Sequence, residues 1–144
     1  MTSLVKELYT ASVTVTGGRR GGTARSSDGL LDVNLQAPPE TGGPGGATNP
    51  EQLFAAAYAA CYRSALGVVA RRRGVSVDDV LVTADVTLGI DETERYGLRV
   101  RLALASSTME SATLQELGQA AHEVCPFSRA IAGNVEVATL AQSS

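Results

Sequence analysis

Two cysteines, Cys61 and Cys125, and two arginines set among glycines, Arg19 and Arg20, are the residues of this chain whose chemistry reaches beyond packing. A cysteine attacks as its thiolate, and an unperturbed thiol is only a few per cent ionised at neutral pH. Cys61 ends the run Leu53-Phe54-Ala55-Ala56-Ala57-Tyr58-Ala59-Ala60-Cys61, and apolar surroundings raise a thiol's pKa and silence it. For Cys61 to act as a nucleophile, a cation must stand beside it. Arg19, in the turn Gly17-Gly18-Arg19-Arg20-Gly21-Gly22, is the candidate that local pattern suggests; the plainer reading is a solvated turn. The plainer reading of Cys61 is a small buried hydrophobe, the usual state of a free cysteine. A second cysteine shifts that balance. No charged start leading into an apolar stretch marks an export signal, so a reducing, cytoplasmic setting is expected, where a cysteine pair serves catalysis more often than structure. The spacing does not match a zinc site and the chain holds one histidine, His122, so no metal is expected. His122, one turn before Cys125, is expected to be structural.

The element carrying Cys61 opens at Asn49-Pro50-Glu51-Gln52. Asn49 can cap a helix, Pro50 suits the first helical position, and Gln52 can complete a capping-box-like start. No breaker follows until Gly74, placed as a C-terminal glycine behind three arginines that suit the negative end of the dipole. Being apolar on every side from Leu53 to Cys61, this helix is expected to be buried and central. A membrane span needs about 20 apolar residues, and Arg63 and Ser64 interrupt the run. Cys125 closes a second helix expected from about Ser111 to Val124, with Leu114, Leu117, Gly118, Ala121, Val124 and Cys125 as its buried stripe, and Pro126 ends it. Leu53, Phe54, Tyr58 and Phe127, close to the cysteines in sequence, are candidates for an apolar substrate pocket.

Strands fill the rest. Tyr9 to Thr16, Thr23 to Ser26 and Leu31 to Gln36 alternate apolar and polar residues and predict a three-stranded antiparallel meander. The Pro/Gly-rich stretch Ala37 to Thr48 predicts an irregular loop. Val80 to Ile90 and Leu98 to Leu104 predict a long hairpin with Arg99 and Arg101 outward, and Val135 to Leu140 a last strand. The order β-β-β-α-β-β-α-β groups strands rather than alternating them with helices, so the expected class is α+β with a largely antiparallel sheet. At 144 residues the chain is expected to be a single domain, residues 1–144. A net charge of −3 argues against a nucleic-acid surface, and no membrane partner is expected.

Three separated motifs, Gly17-Gly18-Arg19, Asn49-Pro50-Glu51-Gln52-Leu53 through Ala60-Cys61, and Val124-Cys125-Pro126-Phe127-Ser128, resemble the organic hydroperoxide resistance branch of the Ohr/OsmC family. The resemblance runs from about Tyr9 to the C-terminus. It implies an intertwined homodimer, two sheets around central helices, with active sites at the subunit interface. It implies a thiol peroxidase that reduces organic hydroperoxides to alcohols, with Cys61 peroxidatic and Cys125 resolving through a Cys61–Cys125 disulfide. It further implies that Arg19 and Glu51 form the charged network activating Cys61, and that no bound cofactor is needed, the reductant being a dihydrolipoyl group on a lipoylated protein. Arg63 and Arg129 depart from the family pattern beside the two cysteines, where substrate fit or reductant docking could differ. Ten residues separate Glu51 from Cys61, about 15 Å along a helix, so either Arg19 spans between them or the helix begins later than Asn49. Two other functions stay open: a non-redox ligand-binding or acyl-thioester-processing protein with inert cysteines, and a redox sensor whose disulfide signals to a partner.

Overall fold

Val13 and Val15, alternating with threonines, form the first strand, β1 (Val13–Gly18), which pairs antiparallel with β2 (Gly21–Ser26) and through it with β3 (Asp32–Leu35). The computed structural model describes residues 3–18 and 21–143, in two compact units, Met1–Pro50 and Glu51–Ser144. In the first unit the register runs from Val13↔Ser26 to Gly18↔Gly21. Gly17 has φ +84°, and a Cβ there would collide with the Gly21 carbonyl oxygen, so glycine is obligatory at that position. β1 begins at Val13 rather than Tyr9 because its partner ends at Ser26, where the chain turns. That turn is built by Ser26 donating to Asp28 Oδ1 (2.6 Å) and by Asp28 accepting the Leu30 N–H (3.0 Å). The Pro/Gly-rich stretch is irregular apart from a short 3-10 turn at Pro39–Thr41, and it returns beside the end of β3, where the Gln36 N–H donates to the Thr48 carbonyl (2.9 Å).

In the second unit the long helix, α1 (Pro50–Arg72), starts with proline at its first position. It ends as expected: Gly74 takes φ +69°, its N–H donates to the Arg71 carbonyl and that of Val75 to the Ala70 carbonyl, closing the last turn. Its burial is one-sided, which corrects the all-round expectation. Tyr58, Tyr62, Ala65, Leu66, Val69 and Ala70 are buried, whereas Gln52, Ala56, Ala57, Ala60 and Ser64 are exposed along the opposite face. Alanine tolerates this because its side chain exposes little apolar area. By length and composition α1 could cross a membrane, but its tyrosine–leucine stripe lies in the unit's core. Arg63, on its flank, donates from Nε to the Val80 carbonyl (3.0 Å) and from Nη2 to the Val77 carbonyl (2.5 Å), holding the loop beyond the helix.

That loop leads to β4 (Leu81–Ile90) and β5 (Tyr96–Ser106), an antiparallel hairpin whose outer face carries the cross-strand pair Asp85–Arg101, Oδ2 to Nη2 2.7 Å. Val100, Leu102 and Leu104 point into the core. Next come α2 (Ser111–Val124), a six-residue helix α3 (Pro126–Ile131) and β6 (Glu136–Ser143). β6 pairs with β5 in parallel, Leu102 opposite Thr139, the one parallel pairing in the unit's otherwise antiparallel sheet among the described residues. The connection explains it: a crossover through helices brings the chain back in the original direction, whereas only a direct hairpin reverses it. Gln115 of α2 occupies the hydrogen bonds that β6 leaves open, donating to the Thr139 carbonyl (2.9 Å) and accepting the Ala141 N–H (2.8 Å). Leu114, Leu117, Gly118 and Ala121 bury the face of α2 predicted from its spacing. Gly118 is needed there, since a Cβ would stand 2.7 Å from Leu104 Cδ1 and 3.0 Å from Tyr62 Oη.

Candidate active site

The break between α2 and α3 positions the second cysteine. Proline lacks an N–H and pushes its predecessor out of helical geometry. Cys125 accordingly takes φ −71°, ψ 115°. It caps both helices: its N–H donates to the Ala121 carbonyl (2.9 Å), and its carbonyl accepts the Arg129 N–H (3.1 Å). Pro126 therefore does two jobs where the sequence announced one, ending α2 and opening α3. The result brings Cys125 Sγ to 3.7 Å from Cys61 Sγ across 64 positions of sequence, both as free thiols. Cys125 is wholly buried and Cys61 partly exposed. An outside molecule can thus reach Cys61 first.

Burial pushes the Cys61 thiol above its ordinary pKa, as its apolar helix predicts; the Phe127 backbone N–H, hydrogen-bonded to it, pulls the other way, and neighbouring Cys125 adds to the rise. Among the described residues no cation is among the groups that move the Cys61 pKa. Arg19 lies outside the described residues. Glu51 sits in the first turn of α1, where a carboxylate suits the helix dipole, and ten helical residues put it about 15 Å along the axis from Cys61. Since α1 begins at Pro50, a later start does not shorten that distance.

Three of the four expected pocket residues come together. The rings of Phe54 and Tyr58 meet edge-on at 6.1 Å, those of Phe54 and Phe127 at 6.4 Å, and Tyr58 stacks on Phe127 at 6.1 Å and 24°. Tyr58 is fully buried, so Phe54 and Phe127 are the members open to an incoming group. Leu53 is half-buried and stands apart from the apolar residues packed on the core.

Behind the cysteines runs a polar chain that sequence spacing left unassigned. Tyr58 Oη hydrogen-bonds Ser128 Oγ (2.8 Å), Ser128 Oγ meets His122 Nδ1 (2.8 Å), and His122 Nε2 reaches Thr139 Oγ1 on β6 (2.7 Å). Tyr62, its ring 5.0 Å from that of His122, donates to the Gly118 carbonyl (2.5 Å). Burial drives the His122 pKa below its ordinary value, with Glu123 opposing, and drives both tyrosines above theirs. The imidazole is neutral at pH 7 and bridges two hydroxyls. Helical spacing held part of this signal: Tyr58 precedes Cys61 by three residues and Ser128 follows Cys125 by three, which places each on its cysteine's side of the helix. Thr139, on a separate strand, carried none. Among the described residues no cluster of His, Cys, Asp and Glu could hold a metal ion.

The family model of OsmC-like proteins matches residues 43–139. The organic hydroperoxide resistance protein of Xanthomonas axonopodis pv. citri is 47% identical over 139 residues, covering 95% of this chain and 96% of the relative. Among solved structures, an organic hydroperoxide resistance protein from Legionella pneumophila superposes with a TM-score of 0.88 at 44% identity, covering 95% of this chain and 99% of that one. One from Elizabethkingia anophelis gives 0.89 at 38% identity, with 97% and 100% covered.

Proposed function

Since the chain belongs to the OsmC-like protein family, in its organic hydroperoxide resistance branch, we propose that it detoxifies organic hydroperoxides as a cysteine-based thiol peroxidase. One observation carries the mechanism: a partly exposed sulfur, Cys61, stands 3.7 Å from a wholly buried one, Cys125.

The Cys61 thiolate attacks the distal peroxide oxygen; the O–O bond breaks, the alkoxide takes a proton and leaves as the alcohol, and Cys61 is left as a sulfenic acid. Cys125 then attacks the Cys61 sulfur, a disulfide forms and water departs. A dithiol, of the dihydrolipoyl kind on a lipoylated protein, returns both thiols and is itself oxidised to a disulfide. Phe54 and Phe127 take up the apolar part of the hydroperoxide, with Tyr58 stacked behind Phe127. Arg19 supplies the positive charge that the burial of Cys61 demands and hydrogen-bonds the peroxide oxygens, and Glu51 holds its guanidinium through a bidentate pair. The protein works as a homodimer, which light scattering at micromolar concentration reads directly; an active monomer removes that element.

The test is the mass and thiol count after one equivalent of an alkyl hydroperoxide. Loss of two thiols with no added oxygen is expected, as are inactivity in Cys61→Ser and a retained, then over-oxidised, sulfenic acid in Cys125→Ser. Unreacted thiols would make the site a binding pocket, and a disulfide that forms once but never turns over with a dithiol would make it a sensor.

A further inference from the structure

The polar chain behind the two sulfurs is built in parallel with them. Tyr58 stands three residues before Cys61 on α1, and Ser128 three residues after Cys125 on α3, so their hydrogen bond (2.8 Å) spans the same gap between elements that the sulfurs span at 3.7 Å. The Ser128 hydroxyl is gripped a second time by His122 of α2, which is anchored in turn on Thr139 of β6. Ser128, Tyr58 and Thr139 are all buried, and among the described residues no buried side-chain polar atom lacks a partner.

α3 needs such a grip. It is six residues long and joined to α2 through an extended Cys125 and a proline without an N–H, so backbone hydrogen bonding alone does little to fix its direction. The Cys125 sulfur sits at that joint. To form a disulfide it must close from 3.7 Å to about 2 Å, and a sulfenic acid that is not reached promptly meets a second peroxide and becomes a sulfinic acid.

We propose that Ser128 and His122, with Tyr58 as the third post, are positioning residues that hold the resolving sulfur within reach of Cys61 and so set the partition between disulfide formation and over-oxidation. The proposal rests on the reading of Cys125 as the resolving cysteine. Resolution is unimolecular and depends on where α3 is held; over-oxidation is bimolecular, first order in peroxide, and depends on Cys61 alone. Displacing the sulfur by a fraction of an ångström therefore slows the first and spares the second.

The experiment titrates wild type, Ser128→Ala and His122→Asn with an alkyl hydroperoxide in the presence of dithiol. Intact mass gives the peroxide concentration at which half of Cys61 is sulfinic. In parallel, stopped flow follows the first oxidation of Cys61 in a Cys125→Ser background. The half-over-oxidation concentration is expected to fall on the order of tenfold in both variants, since misplacement by about 1 Å costs up to a hundredfold in rate, while the first oxidation changes little. Ser128→Thr, which keeps the hydroxyl, should restore the wild-type partition. A merely structural role would lower thermal stability and leave the partition where it was, and that result overturns the proposal. So does a parallel loss of both steps. If wild type itself gives no Cys61–Cys125 disulfide, the resolving role fails first and the tether with it. His122→Asn decides the matter if Ser128→Ala does not fold.

Discussion

Replacing Arg19 by alanine should disarm Cys61, and simple electrostatics bounds by how much. An unperturbed thiol titrates near 8.5, so half-ionisation at pH 7 requires a downward shift of about 1.5 units, or roughly 2 kcal/mol. Burial has already moved Cys61 in the opposite direction, so the cation must supply more than that. A guanidinium acting through an effective dielectric of about 20 delivers roughly 4 kcal/mol at 4 Å and roughly 2 kcal/mol at 8 Å. To suffice, the Arg19 charge must come well inside 8 Å of the Cys61 sulfur. The measurement is the iodoacetamide alkylation rate against pH with Cys125 replaced by serine throughout. In Arg19→Ala the midpoint should rise by about 1.5 units or more, and peroxide reduction at pH 7 should fall by about fifteenfold or more, the loss of thiolate that this shift implies from a half-ionised start. Glu51→Ala should shift the midpoint less, because it only lets the guanidinium drift. The double variant should look like Arg19→Ala alone, since Glu51 acts through Arg19. An unmoved midpoint in Arg19→Ala would refute the electrostatic argument, and additive losses would mean that Glu51 acts by some other route.

Phe127→Ala should cost alkyl and aryl hydroperoxides about fivefold in kcat/KM and hydrogen peroxide almost nothing, because some 40 Å² of lost apolar contact at about 25 cal/mol per Å² is roughly 1 kcal/mol; equal losses on both would take the ring out of substrate binding. Gly118→Ala should lower stability by about 1–3 kcal/mol, seen as an earlier urea midpoint at constant slope, because the new methyl meets Leu104 and the Tyr62 hydroxyl. The neutral His122 gives a pH dependence whose sign is fixed. Its folded pKa lies below the unfolded 6.5, so above that value both states are neutral, and as pH falls through it the unfolded chain takes up a proton that the folded one resists. Stability should therefore fall on acidification below pH 6.5, and His122→Asn should flatten that fall in urea titrations run from pH 7.5 to 5.

Local signals carried much of this molecule into its sequence. Ser111–Val124 was legible as a helix because its leucines fall on one face and Pro126 stops it, and Gly74 marked the end of α1 because only its positive φ lets the last carbonyls find donors. What escaped was decided between distant segments. The direction of β6 follows from how α2 carries the chain back over the sheet, which no residue of Val135 to Leu140 encodes alone. The start of β1 is set by its partner's end at Ser26. The proposed Arg19–Glu51–Cys61 grouping joins residues whose separations carry no period: local pattern offered Arg19 as a cation, and only resemblance joined it to Glu51 and Cys61. Ser128 was within reach of spacing arguments, but its partners His122 and Thr139 are brought to it by the crossover.

The 64 positions between the two sulfurs matter a second way. Once joined, they close a large loop and forbid the unfolded chain many of its open shapes, worth about 4 kcal/mol for a loop of that length in the chain-entropy description. The same quantity must appear in the exchange reaction: the folded chain grips its disulfide nearly a thousandfold more tightly than the unfolded chain would. Each turnover would thus swing the protein between a looser reduced form and a stapled oxidised one, and a monothiol that opens the staple leaves the freed sulfur poised to close it again. A dithiol escapes this, since its second sulfur attacks its first, closing a ring and expelling the protein's thiolate before the protein can reclose its own disulfide. The resting stability of the fold and the kind of reductant able to service it are set by one length of chain.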